Sequence, residues 1–449
     1  MTTGKERQAN TAETEENGRK PRPRPRSARL RPYDIIQSLL ADGWRFAYGG
    51  DNLYVYEHGV YVPGARIVRN HLFQRLGTRW GMVQVNSVIQ GLKDISPELW
   101  PVPSRDYINL ANGLYNRQTQ KLEPHSADHL THVQLPIIYD PSATCPSLDS
   151  FLEDISAPGS AITTYEILGW LATTDTWLKR AILLVGPKNS GKSTFCELIY
   201  YYLGGQNISG VPLQQLTATG FARAELFGKL ANVFPDLPNA RVEESSIFKT
   251  LTGNDPSLTA DRKYGQPFSF KPFVRLLFSA NEIPQSADQT DAYLDRWLVN
   301  LFPNTFELND SYLESMATHE EISGLLNSAM AAYNKVLKQG NFTLTEATQA
   351  GATLFKEAVV PVIAFLAECC DTEHPNYNCD RTDLYHAFCG WCSQTGRRRP
   401  SNRRFYEQLR QHFPEGTEKK TNTNWVWTHL TLNDTGQQAL EHFQRRERV

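Results

Sequence analysis

The stretch LLVGPKNSGKST, residues 183–194, sends an apolar run into a glycine-bounded loop that closes on a lysine and two hydroxyls. Gly186, Gly191, Lys192 and Ser193 fit the spacing GxxxxGK(S/T). Each residue type has a chemical reason to be there. Glycines permit backbone angles that turn N–H groups inward around a phosphate. Lys192 supplies a point charge for the β- and γ-phosphates. Ser193 offers a hydroxyl to Mg²⁺. Gly186, Pro187, Lys188, Asn189, Ser190, Gly191, Lys192, Ser193 and Thr194 are therefore the expected nucleotide loop, with ATP and Mg²⁺ as expected cofactors.

A hydrolysing loop of this kind needs a second strand ending in an acid that completes the metal shell. KLANVFPDLP provides an apolar run and then Asp236. Strand-then-aspartate is common, so Asp236 carries little by itself. VRLLFSANEIP ends at Asn281, which could bond a γ-phosphate or an attacking water. Standing alone, Asn281 reads as an ordinary turn asparagine.

The elements needed to hold these groups are legible around them. AILLV before the loop has the run of a buried strand, and FCELIYYYLGG after it reads as a helix stopped by Gly204 and Gly205. A helix starting at the loop adds its dipole to the anion site. From about residue 160 to 305, helical and β-rich runs alternate, which predicts a three-layer α/β domain. Four segments follow: a disordered basic tail at 1–32, an α+β N-terminal domain at 33–158, an ATPase domain with a helical end at 159–357, and a C-terminal domain at 358–445. The tail runs RKPRPRPRSARLR, where prolines block regular structure and arginines repel one another; it reads equally as a phosphate-touching arm or a solvated tail. In the N-terminal domain DIIQSLLADGW is helical, NLYVYEHGVYVPG turns at His58-Gly59 as a hairpin, and YINLANGLYNRQTQKLEPH gives two short strands around a turn. ESMATHEEISGLLNSAMAAYNKVL is the clearest helical run in 311–357.

The order of motifs carries more than any one of them. Phosphate loop, Asp236, the basic hairpin TADRKYGQPFSF, Asn281 and then Arg296 in YLDRW is the order of superfamily 3 helicases. The sequence resembles the phage and plasmid primase–helicase family related to the poxvirus helicase-primase, from about residue 33 to near the end. FKTLTGNDPSLTADRKYGQPFSFKP followed by SANEIP is the specific part of the signature. The resemblance implies an AAA+-like P-loop fold with a C-terminal winged helix. It implies that Lys192, Asp236 and Asn281 act in ATP hydrolysis, with Ser193 and Asp236 on Mg²⁺. It makes Arg296 an arginine finger reaching a neighbouring subunit's site. It puts Lys263 and Tyr264 at the tip of a hairpin in a central channel, where lysine grips phosphate and the aromatic packs on sugar or base. Lys179 or Arg180 would be a further trans contact, against the plainer reading of a surface basic pair. One departure from the pattern is Pro235, where many relatives carry an additional acid. The residue that polarises the lytic water is left open among Glu243, Glu244 and Glu282.

From residue 361 to 430 the pattern fits a winged helix. VIAFLAECC and DLYHAFCGWCSQTG are helical, Ser401 caps SNRRFYEQLRQHF, and TEKKTNTNWVWTHLTL looks like a two-stranded wing. Arg397, Arg398, Arg399, Arg403 and Arg404 crowd the entry to its third helix, with Arg403 and Arg404 expected to touch duplex DNA; docking to protein is the rival use. The chain is expected to end in a hairpin. Cys389-Gly390-Trp391-Cys392 lies inside an apolar-periodic helix and reads as packing rather than zinc. His125, His129 and His132 do not have metalloprotease spacing.

The chain of 449 residues is 40% apolar and 21% charged with a formal charge of −2, so attraction to nucleic acid must come from local patches. No apolar run is long enough to cross a bilayer, and the seven cysteines form no paired framework, which suggests thiols in a reducing cytoplasm. These readings converge on an ATP-driven DNA helicase of a phage, prophage or plasmid, active in the bacterial cytoplasm. The resemblance implies a homo-oligomeric ring, a hexamer, moving 3′ to 5′ on single-stranded DNA, with a primase encoded separately or absent. The competing readings are an origin-binding initiator that uses ATP as an assembly switch and a DNA-packaging ATPase.

Overall fold

The computed structural model describes residues 31–447 except 239, 254, 256, 264 and 308–311. The centre of the molecule is a five-stranded sheet, its strands numbered here as β1 (Ala181–Val185), β2 (Ile208–Ser209), β3 (Ala231–Phe234), β4 (Arg275–Ala280) and β5 (Trp297–Leu301). Their spatial order is β5-β1-β4-β3-β2 and every pairing is parallel. Parallel strands are stable only with both faces covered. AILLV meets that demand by alternation. Ile182 and Leu184 enter one apolar cluster with the helices Ala161–Leu171, Lys192–Leu203 and His319–Gln339. Ala181 and Leu183 enter a second cluster with the helices Ser246–Gly253 and Glu346–Val359. The result is the expected three-layer α/β arrangement.

The loop helix Lys192–Leu203 stops where expected, at Gly204 with φ +81°. ESMATHEEISGLL is not one helix: it breaks into Tyr312–Met316 and His319–Gln339, because Thr318 caps the second by accepting from Glu321 N. TADRKYGQPFSF forms a hairpin whose strands Leu258–Ala260 and Phe268–Phe270 pair antiparallel.

The N-terminal region is α+β, as expected. Helices Pro32–Ala41, Ala65–Leu76 and Met82–Ile95 pack on a meander of Phe46–Gly49, Asn52–Glu57 and Val60–Pro63. Its second turn lies at His58-Gly59, both at positive φ (+49° and +86°), the geometry that matches the twist of a two-residue hairpin. The following segment has three strands rather than two, Tyr107–Leu110, Gly113–Asn116 and Lys121–Glu123.

The C-terminal module contains helices Pro361–Cys369, Arg381–Thr395 and Asn402–His412, the last capped by Ser401 as expected. A three-stranded sheet orders Asn378–Asp380, Trp425–Thr428 and Glu418–Lys420. Trp427 is buried while Trp425 is exposed, which is the alternation of a half-covered strand. The chain does not end in a hairpin. Past the short strand Thr431–Leu432 it forms helix Asp434–Glu447, which lies so close to Arg381–Thr395 that a Cβ on Gly390 would meet Ala439 O at 1.9 Å. The module is not a separate bead, since Phe365, Phe388 and Phe405 belong to the same cluster as Phe248, Trp297 and Phe355. The apolar helices Glu346–Val359 and Pro361–Cys369 bend by 104° within that core, and no single helix among the described residues is long and apolar enough to cross a membrane.

Candidate functional site

Strand register brings the expected chemistry together. Ala280 of β4 pairs with Val185 of β1, so Gly186 and Asn281 leave the sheet side by side. Phe278 of β4 pairs with Phe234 of β3. Beyond that pair, Ser279 Oγ donates to Pro235 O at 2.7 Å and Leu237 N donates to Ser279 O at 2.7 Å. Asp236 is thereby strapped beside β4. The three segments open into one cleft of about 950 Å³ at the C-terminal edge of the sheet, where open α/β sheets hold ligands. Lys188 to Thr194, Pro235, Asp236 and Asn281 all line it.

The loop is built for close approach. Asn189 and Gly191 have φ +60° and +85°. A Cβ on Gly186 would meet Phe302 O at 2.1 Å, and one on Gly191 would meet Ile155 Cγ2 at 2.5 Å. Lys192 is buried, its Nζ donating to Gly186 O and Pro187 O at 2.7 Å and to Ser190 Oγ at 3.1 Å. Burial lowers its pKa, opposed by the charge of Asp236. The loop's own oxygens thus hold the ammonium at the loop, within the field of Asp236.

Sequence reasoning missed the cleft's other wall. Phe151, Ile155, Phe306, Tyr312 and Leu313 face the loop, and Phe306 N donates to Asn189 O at 2.9 Å. Phe306 and Tyr312 are exposed aromatics, and the Tyr312 ring meets Phe151 edge-on. A run of exposed aromatics in FPNTFELNDSY was the available signal. The acids in the cleft besides Asp236 are Asp154, Glu197 and Glu307. Glu243, Glu244 and Glu282 are not among its lining residues.

Arg296 lies elsewhere. It immediately precedes β5, and Ala181 N donates to its carbonyl at 2.7 Å, so it sits at the start of β1 and β5, the edge opposite the cleft. At about 3.3 Å per residue, β1 alone separates the two edges by roughly 13 Å. Its guanidinium donates to Ala292 O, Lys249 O and Thr252 Oγ1 at 2.8–2.9 Å, which fixes it against helix Ser246–Gly253. Arg180 shares this edge, half-buried near Asp295.

Lys263 is in the hairpin loop; Tyr264 lies outside the described residues. The base of the loop is tied to the N-terminal meander. Arg262 donates to Asp51 Oδ2 at 3.0 Å and Gly50 O at 2.9 Å, and stacks over Phe268. Arg403 is exposed and pairs with Glu407 at 2.8 Å, one turn along its helix. Arg404 turns toward the central domain.

The cysteines and histidines are occupied in packing. All seven cysteines are buried thiols, and burial pushes Cys392 up to about 12. His132 bonds Gly228 O, His125 bonds Leu110 O, and His129 packs edge-on to Trp100. Among the described residues no three histidine, cysteine or acidic groups gather as metal ligands.

Three family models match separate segments of the chain. A model described as "D5 N terminal like" matches residues 75–157, and one described as "Poxvirus D5 protein-like" matches residues 361–445. These two segments, on either side of the central domain, are thus similar to D5-type proteins. Between those segments, residues 184–296 match a family of unknown function, DUF5906, which runs from β1 to Arg296. Among solved structures the chain is similar to the A-form apo structure of the NrS-1 C-terminal region, at 10% identity, 89% of this chain, 99% of that chain and a TM-score of 0.48. An A-form apo structure of the same protein's C-terminal region (305–718) gives 12% identity, 86% and 83% coverage and a TM-score of 0.47. An apo structure of that region gives 11%, 89% and 98%, and 0.46.

Proposed function

We propose that the chain is an ATP-dependent DNA helicase that works as a ring in the replication of a phage, prophage or plasmid. The central domain is read as a superfamily 3 P-loop ATPase and the C-terminal module as a winged helix. The observation that carries this is the convergence of Lys192, Ser193, Asp236 and Asn281 in one cleft, with Arg296 on the opposite edge of the same sheet.

The residues present fit ATP and Mg²⁺. The left-handed Asn189 and Gly191 curl the loop, and Gly186 and Gly191 sit too close to Phe302 and Ile155 for a Cβ, the kind of tight backbone turn that aims N–H groups at a phosphate. Ser193 and Asp236 are the hard oxygen donors that Mg²⁺ takes. Lys192 exchanges its loop carbonyls for phosphate oxygens, and Asn281 orients the attacking water or bonds the terminal phosphate. The aromatic wall of Phe306 and Tyr312 provides a face for the base. Bound Mg²⁺ supplies positive charge against the phosphoryl oxygens.

Arg296 cannot complete its own cleft across the width of the sheet, so a finger role places it in a neighbour's. That makes the site a property of two chains, and a closed ring, read here as a hexamer, gives every chain such a neighbour. Hydrolysis between neighbours moves the Lys263 loops and draws one DNA strand through, 3′ to 5′. Unwinding of a forked duplex by the purified chain with ATP tests the reading. Lys192→Ala is expected to abolish both hydrolysis and unwinding, and Lys263→Ala to lower unwinding far more than hydrolysis. A protein that melts one site and stalls, or unwinds nothing, contradicts it.

A further inference from the structure

A second cleft, about 450 Å³, opens where the C-terminal module meets the central domain. Five arginines line it, Arg241, Arg397, Arg398, Arg399 and Arg404, against the single acid Glu243. The segment 397–400 is pinned at both ends. Arg397 donates to Glu357 O at 2.8 Å and stacks on Trp391, while Tyr385 donates its hydroxyl proton to Pro400 O at 3.2 Å. Between these anchors Arg398 and Arg399 are exposed. Among the described residues neither they nor Arg404 make a hydrogen bond or ion pair through their side chains. From the facing wall comes Arg241, whose Nε is buried without a hydrogen-bond partner and lies 3.8 Å from a largely exposed Glu243.

The third helix of the module is partly used up by this joint. Gln408 donates to Gln289 Oε1 at 2.6 Å and Gln411 to Asp291 Oδ2 at 2.8 Å, so one flank of Asn402–His412 is bound to the central domain. A helix docked in this way does not present all its faces to a DNA groove. The cluster of arginines instead points into the joint.

We propose that this joint is a phosphodiester-binding site shared by the two domains, in which Arg241, Arg398, Arg399 and Arg404 hold adjacent backbone phosphates of a nucleic-acid strand. It rests on the reading of the chain as a nucleic-acid motor, and adds a second grip to the hairpin's. Guanidinium forks match phosphate oxygens in pairs, and five like charges gathered around a single acid are relieved by a polyanion. No aromatic ring lines the cleft among the described residues, so it offers phosphate contacts and no platform for a base. That favours a continuous backbone over a free nucleotide. The site is also continuous along the chain with the first cleft. Arg241 and Gln285 lie on the segments that leave Asp236 and Asn281, and these segments are joined by Val242 N to Gln285 O and Ala287 N to Val242 O, both 2.9 Å.

The test is oligonucleotide binding by the full chain over a range of salt, read by fluorescence anisotropy with labelled single-stranded and duplex oligonucleotides of equal length. Arg398→Ala/Arg399→Ala/Arg404→Ala is expected to weaken binding at least about tenfold and to lower the log–log salt slope by about 2, near 0.7 per lost single-strand contact. Arg241→Ala, on the other domain, should lower it by a little under one. The triple lysine variant restores charge and should recover most of the slope, which a merely misfolded alanine variant could not explain. Unchanged affinity and slope in both alanine variants, with the natural chain binding normally, overturn this inference and leave the helicase reading standing. Loss of ATP affinity with oligonucleotide binding intact overturns it in favour of a nucleotide site. A natural chain that binds neither oligonucleotide overturns both.

Discussion

Gly191 and Gly340 offer a matched pair of substitutions at the phosphate loop and away from it. Both are left-handed, at φ +85°, ψ 0° and φ +77°, ψ 6°. A Cβ on Gly340 meets nothing within 4 Å, whereas one on Gly191 meets the buried Ile155 at 2.5 Å. Gly340→Ala therefore costs only the backbone term, about 1 kcal/mol after the loss of unfolded-chain entropy is allowed for. Gly191→Ala adds the cost of crowding a packed wall, about 1–3 kcal/mol. The loop relieves that crowding only by moving, so the excess is divided between stability and nucleotide affinity. If all of it falls on binding, the ATP Kd rises about 5- to 150-fold. Denaturant unfolding and calorimetric titration of Mg-ATP, run on both variants, measure the two shares. Gly191→Ala matching Gly340→Ala in both would refute the claim that Ile155 and the loop form one tight nucleotide wall.

Two further outcomes follow from buried charge. Asp175 accepts from Arg117 Nη2 and the Tyr333 hydroxyl, both at 2.8 Å, and its charge favours the fully buried Arg275, which burial brings down to about 9. Asp175→Asn leaves those guanidiniums uncompensated and should cost about 3–5 kcal/mol in denaturant unfolding; a cost under about 1 kcal/mol would contradict the network. For Asp288, burial raises the pKa, but hydrogen bonds from Lys249, Ser245 and Thr290 outweigh it and hold the carboxyl at about 2. Its folded pKa lies below its unfolded one, so its stabilisation is present at neutral pH and is lost as pH falls from about 4 toward 2. The melting-temperature gap between the natural chain and Asp288→Asn should narrow on acidification from pH 7 to 3, and a constant gap would contradict it.

The parts of this account that sequence carried are those with local causes. The AILLV run, the glycines of the loop, the turn at His58-Gly59 and the Ser401 cap each depend on a few neighbouring residues, and each is found where expected. What sequence left out depends on distant partners. Lys121–Glu123 is too short to show a period, and becomes a strand because Gly113–Asn116 lies beside it. Phe306 and Tyr312 reach the loop only because β5 pairs with β1 and returns the chain to the cleft. The acids expected to serve the lytic water follow Asp236 and Asn281 in sequence, yet the chain turns away into the Val242–Gln285 contact and carries Glu243 to the other cleft. The width separating Arg296 from the phosphate loop is likewise a property of parallel pairing, invisible in YLDRW.

A site completed by a neighbour has a direct measurement: ATP turnover by a mixture of Lys192→Ala and Arg296→Ala chains, each expected to be inactive alone. In the proposed ring, mixing creates interfaces where an intact Lys192 faces an intact Arg296, so turnover should return. Full turnover by Arg296→Ala alone, or no recovery in mixtures shown to co-assemble, would contradict the account.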